Sequence, residues 1–97
     1  MDEELPRYRD KRLKQFADGY RVKEFQAFEQ QLKKRLAILE DALTRDDLRL
    51  LPSNRFQALG GDRKGQFSIR INKQWRLCFE WPEDLDHAVN IEVVDYH

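Results

Sequence analysis

Three side chains in this sequence are suited to proton transfer or nucleophilic attack near neutral pH: His87, His97 and the thiol of Cys78. His97 follows Asp95 and Tyr96, so a carboxylate, a phenol and an imidazole stand in one tripeptide. In such a set the imidazole exchanges a proton, the carboxylate holds or charge-balances it, and the phenol stacks or donates a hydrogen bond. On its own, however, a histidine in this position reads as a solvated chain end. His87 sits beside Asp86 in a turn and reads as surface. Cys78 lies inside an alternating stretch with no base partner, as an inert packed thiol would. One cysteine and two distant histidines build neither an internal disulfide nor a zinc site. Gly60, Gly61 and Gly65 are too sparse for a phosphate cradle of the P-loop type and suit tight turns. No metal or cofactor is implied.

Eighteen basic and eighteen acidic residues cancel, which for the chain as a whole argues against a nucleic-acid binder. The cancellation hides a segregation. Residues 55–76 hold Arg55, Arg63, Lys64, Arg70, Lys73 and Arg76 against Asp62 alone, whereas residues 77–97 hold six acids and no Lys or Arg. A neutral chain ordered in this way can present one positive surface. The same charges also serve simply to keep a small domain in solution.

The elements that must carry these groups follow from periodicity. Leu13 and Phe16, three apart in a charged stretch beginning at Asp10, predict a two-turn helix stopped by Gly19. Val22, Phe25, Phe28, Leu32, Leu36 and Leu39 recur at steps of three and four and predict one long amphipathic helix to about Leu43, with Glu29, Lys33 and Lys34 on its wet side. Thr44 to Pro52 reads as an irregular connection or a short helical turn.

Beyond Pro52 the period falls to two. Phe67, Ile69 and Ile71 alternate with Gln66, Ser68, Arg70 and Asn72, and Trp75, Leu77, Phe79 and Trp81 alternate with Arg76, Cys78 and Glu80. Asn72-Lys73-Gln74 is the right length for a tight hairpin, although it lacks Gly. Arg55 to Leu59 and the alternation of Val89, Ile91 and Val93 supply two further strands. The fold class expected is α+β: two N-terminal helices packed on one face of a mainly antiparallel four-stranded sheet, in a single domain over residues 1–97. Trp75 and Trp81 fall on the apolar parity and belong to the core. The opposite face then displays Ser68, Arg70 and Arg76 side by side, which suits a phosphate backbone. The same parity also allows Arg70 and Arg76 to pair with Glu80 and Glu92 across strands.

Ninety-seven residues, 40% apolar and 37% charged, support one modest core and exclude a large multidomain enzyme. No uncharged run approaches the roughly 20 apolar residues that cross a bilayer. The acidic opening Met1-Asp2-Glu3-Glu4 is unlike the basic start of a secretion signal, so a cytoplasmic location without membrane contact is expected.

Three stretches resemble one known family. The run from Gly61-Asp62-Arg63 through Gln66-Phe67-Ser68-Ile69-Arg70, the strand Gln74-Trp75-Arg76-Leu77-Cys78-Phe79 and the terminal Asp95-Tyr96-His97 resemble the HigB group of the RelE/ParE toxin superfamily, and Tyr8-Arg9-Asp10-Lys11 resembles the opening of its first helix. The resemblance implies a microbial-ribonuclease-like fold and a type II toxin that cuts messenger RNA on the ribosome until a HigA-like helix-turn-helix antitoxin binds it. By position it implies that Asp95, Tyr96, His97 and Arg76 are catalytic; Arg63, Lys64, Arg70, Gln57 and Ser68 are the residues expected to contact substrate. Two positions depart: Gln57 stands where well-studied members have a histidine, and Gly60 where they usually have a lysine. Gln57 cannot transfer protons and can only position, and Arg63 and Lys64 are the cations near enough in sequence to replace the missing lysine. Those departures keep a second reading open, that of a non-cleaving gyrase poison like ParE or a catalytically weak homologue acting mainly as a repressor partner. A general protein-interaction domain is the third.

Overall fold

The computed structural model describes residues 5–95. The first helix, α1 (Lys11–Ala17), begins where Asp10 accepts hydrogen bonds from the backbone N–H groups of Arg12 (3.0 Å) and Leu13 (3.4 Å). This satisfies two donors that a helix start otherwise leaves orphaned. It ends at Gly19, whose φ of +97° lets the N–H groups of Gly19 and Tyr20 turn back onto the carbonyls of Phe16 and Gln15.

The long helix expected from Val22 onward is divided. Lys23–Phe28 forms a 3₁₀ helix, and only then does the α-helix α2 (Glu29–Asp41) begin. The spacing is compatible with the division without dictating it, because Val22, Phe25 and Phe28 recur at steps of three, which a 3₁₀ helix aligns on one side. Leu32, Leu36 and Leu39 follow at the steps an α-helix aligns. All six side chains are buried, and Phe28 stacks on Trp75 with ring centroids 4.9 Å apart. Thr44 and Asp47 then cap another 3₁₀ turn reciprocally, Thr44 Oγ1 accepting from the Asp47 N–H and the Asp47 carboxylate from the Thr44 N–H.

The sheet is antiparallel throughout, in the order β1 (Gln57–Ala58), β2 (Gln66–Arg70), β3 (Trp75–Glu80) and β4 (Val89–Asp95). Its apolar parity, including Ile69, Leu77, Phe79, Ile91 and Val93, packs with Leu13, Phe25, Leu32, Leu36 and Leu39 into one core. The hairpin between β2 and β3 dispenses with Gly because the Asn72 side-chain oxygen accepts from the N–H groups of Gln74 (2.8 Å) and Trp75 (2.9 Å). β1 is shorter than the stretch from Arg55 to Leu59, since Arg55 adopts the left-handed conformation (φ 45°, ψ 51°) and cannot join the ladder. The other edge is covered by the N-terminal segment. Tyr8 bridges Ile91 in parallel, and Arg9 N–H donates to the Ile91 carbonyl at 3.0 Å. Its phenol donates to Glu40 at 2.7 Å, and burial together with that acceptor raises the Tyr8 pKa to about 12.

Asp10 also accepts from the Val93 N–H (3.4 Å), so one carboxylate ties the helix start to β4. Burial by itself raises the Asp10 pKa, but the Arg12 guanidinium and the backbone N–H donors outweigh it and leave the group below the usual carboxylate range. Because the folded value is depressed, the stabilisation is present above the unfolded value of about 3.9 and is lost as pH falls through the folded one. Asp10→Ala is expected to lower unfolding stability by about 1–2 kcal/mol at pH 7 in urea denaturation, with the deficit shrinking as pH is taken below about 4. A deficit independent of pH would contradict the charge-assisted cap. Leu32→Ala, at a fully buried position, is expected to lose roughly 2–5 kcal/mol in the same assay.

Candidate nucleic-acid interface

Strand register sets the face opposite the helices in rows. Gln57 lies beside Ser68, Ser68 beside Cys78 and Cys78 beside Glu92; in the next row Arg70, Arg76 and Val94 are neighbours. Ser68, Arg70 and Arg76 therefore share a face as expected, but they are not equally open. Ser68 is fully buried and Arg76 is 8% exposed. The Arg76 side chain lies across Ser68, its Nε donating to Ser68 Oγ at 2.9 Å, while one terminal nitrogen donates to the Arg55 carbonyl at 2.6 Å. Ser68 thus serves as an anchor for Arg76 beneath the surface, and its place under that guanidinium corrects the expectation that it is displayed.

Glu80 and Glu92 have other partners than those considered above. Arg9 reaches Glu80 at 2.8 Å and Glu92 at 3.0 Å, and Arg63 reaches Glu92 at 3.4 Å and Gln66 at 3.0 Å. Arg63 is accordingly held by a carboxylate, whereas Lys64 is exposed beside it and Gln57 is exposed on β1. Cys78 is fully buried, and burial pushes its thiol pKa up. Asp95 lies opposite Trp75 on the other parity from Arg76, is exposed, and accepts from the Gln74 side-chain amide at 3.2 Å. Tyr96 and His97 lie outside the described residues.

Three cations not nominated from the sequence join Arg70 and Arg76. A depression of about 290 Å³ is lined by Arg55, Arg70, Asn72, Lys73 and Arg76. A second, of about 360 Å³, shares Arg55, Arg70 and Lys73 with it and extends to Arg35 on α2. None of the described residues lining either one carries a carboxylate. Among the described residues, no hydrogen bond or ion pair reaches the side chains of Arg55, Arg70 or Lys73. Burial, with a smaller contribution from the nearby Arg70 charge, lowers the Arg35 pKa. The only sequence signal at Arg35 is its place three residues after Leu32 and four before Leu39, at the margin of the buried stripe, which marks it as near the core without marking it as part of a site. Arg55 and Lys73 fell within the basic segment but carried no spacing signal of their own. A larger hollow of about 560 Å³ between α1 and α2 is lined by Arg21, Glu29, Lys33 and Glu40; its mixed charges select no anion.

This arrangement sets a buried and aligned guanidinium beside a cationic depression whose described lining residues carry no carboxylate, on an α+β scaffold, and such a surface can accept an anionic group such as phosphate. Residues 6–97 match the family model described as RelE-like toxin of type II toxin–antitoxin system HigB, and the chain belongs to that family. It is 42% identical over 76 residues to Toxin HigB-1 of Vibrio cholerae serotype O1 (strain ATCC 39315 / El Tor Inaba N16961), covering 76% of this chain and 80% of that relative. A toxin of this type has an antitoxin as its partner. No helix among the described residues is long and apolar enough to cross a membrane.

The anchoring of Arg76 is open to a direct check. Ser68→Ala deletes the buried acceptor of a charged donor and is expected to lower stability by roughly 1.5–3 kcal/mol in denaturant titration. A loss below about 0.5 kcal/mol, the range of ordinary surface substitutions, would show that Arg76 does not depend on Ser68.

Proposed function

We propose that this toxin is a ribosome-dependent endoribonuclease that cleaves messenger RNA in the cytoplasm, inhibits translation, and is neutralised by a HigA-like helix-turn-helix antitoxin. The observation that carries the reading is the cluster of cations around Arg76, whose described lining residues include no carboxylate, at the end of the sheet where β4 ends at Asp95.

Cleavage by the 2′-hydroxyl of RNA requires a base for its proton, an acid for the departing 5′-oxygen, and positive charge on the phosphorane between them. Arg76 has a side chain oriented by two hydrogen bonds before substrate arrives, which is what transition-state stabilisation demands. Arg70 supplies a second guanidinium beside it. His97 serves as the proton-transfer group, Asp95 holds it, and Tyr96 stacks on a base or donates a hydrogen bond. Gln57 and Lys64 position the strand. With so few acid–base groups in the protein, the ribosome supplies much of the alignment of the substrate.

A slower, mainly repressive homologue is the second reading, and two observations favour it. Gln57 and Gly60 lack the proton-transfer group and the cation that well-studied members carry, and Arg63 is engaged with Glu92 rather than available to replace the lysine.

Under tightly controlled expression, the chain is expected to arrest growth and generate new messenger 5′ ends in primer extension. His97→Ala is expected to abolish those ends, and Arg76→Ala to reduce them by about 10²-fold or more. Unchanged arrest by His97→Ala without new ends would overturn the nuclease assignment. Gly60 has an ordinary backbone and open space where a Cβ would stand, so a side chain fits there. Gln57→His combined with Gly60→Lys is therefore expected to raise cleavage about tenfold or more; no gain would show that these positions do not limit the rate.

A further inference from the structure

We propose that the depression running from Arg76 past Arg55 and Arg70 to Arg35 is a track for the sugar–phosphate backbone of single-stranded RNA, with Arg35 and Arg55 binding a phosphate beyond the scissile one. The proposal rests on the reading of the toxin as RNA-directed, and extends its site onto α2.

The track is built rather than incidental. Arg35 donates to Asn54 Oδ1 at 2.7 Å and to Ser53 Oγ at 3.3 Å, and Asn54, fully buried, donates in turn to the Leu48 carbonyl at 3.0 Å. This chain of bonds fixes one nitrogen of Arg35 and stiffens the turn immediately before Arg55. Arg55 is then held left-handed, with its N–H on the Pro52 carbonyl and its own carbonyl receiving Arg76. For a residue other than Gly or Asn this conformation costs roughly 1–2 kcal/mol, and strain of that kind collects at functional sites. It links the two depressions, because Arg55 and Arg70 line both.

The chemistry of the lining selects the ligand. Cations, amides and a hydroxyl (Gln31, Asn72 and Ser53) suit phosphate and ribose oxygens, and Ile71 is the one apolar residue among the described residues of the two linings. A protein partner would need an apolar centre to bury, which the described residues of this groove do not provide.

The test uses the full chain carrying His97→Ala, so that binding is read without cleavage. Fluorescence anisotropy with a labelled six-nucleotide RNA is followed across a salt series. Adding Arg35→Gln or Arg55→Asn is expected to weaken binding several-fold and to reduce the slope of log K against log salt by about 0.7 each. Asn is at home in the left-handed conformation, so Arg55→Asn removes the cation without harming the fold, and a thermal melt verifies this. Unchanged affinity and slope in both variants would overturn the proposal, as would absence of RNA binding by the parent at low salt. If the variants instead kept RNA affinity and lost affinity for an acidic peptide, the groove would pass to a protein partner and the proposal would also fall. Failure of the nuclease reading shows separately, as missing 5′ ends in primer extension with RNA binding intact.

Discussion

A guanidinium sunk to 8% exposure must be hydrogen-bonded, because an ionised donor deprived of water and partners is among the costliest groups a fold can hold. Arg76 meets that requirement from two directions, through the buried hydroxyl of Ser68 and the carbonyl of Arg55. The second bond dictates backbone geometry well away from the sheet. Arg55 must turn left-handed to aim its carbonyl inward, a strain of roughly 1–2 kcal/mol set against about 1.5–3 kcal/mol for a hydrogen bond to a charged group. The bond wins or breaks even, and the distorted turn is kept. Asn54 and Arg35 then brace that turn from α2, so a single buried cation organises the helix, the connecting segment and the sheet around one spot.

The acids of the same face are disposed so that they do not interfere. Glu80 and Glu92 are held by Arg9 and Arg63 at one end of the strands, which leaves the hairpin end, with Arg70 and Lys73, positive. A chain with no net charge thereby acquires a polar division along its strands. Like charges gathered at one end repel each other, and an anion bound there would offset that repulsion.

Much of the fold was legible because alternation and helical spacing report burial directly. The six apolar side chains of the Val22–Leu39 stripe and the odd-numbered residues of β2 and β3 carry the core almost unaided. What escaped was backbone geometry: the switch from 3₁₀ to α at Phe28, and the left-handed Arg55 that shortens β1. Both depend on tertiary partners, Trp75 in one case and Arg76 in the other. The candidate site was partly legible. Arg70, Arg76 and Ser68 followed from parity, but parity cannot tell a displayed serine from one covered by its neighbour's side chain. Arg63 was nominated from sequence proximity, and its carboxylate partner lies 29 positions away. Arg35 lay on another element altogether, brought to the site by its bonds to Ser53 and Asn54.

The pairing of the N-terminal segment with β4 bears on when the protein becomes whole. Arg9 and Glu92 are 83 positions apart, and Tyr8 finds its place only against Ile91. During synthesis the early segment emerges long before the strand it must join, so the sheet edge stays open and the Asp10 tie to Val93 unmade until the far strand has been extruded. Closure of this edge thus waits on the last strand of the sheet, long after the segment that covers it has been made.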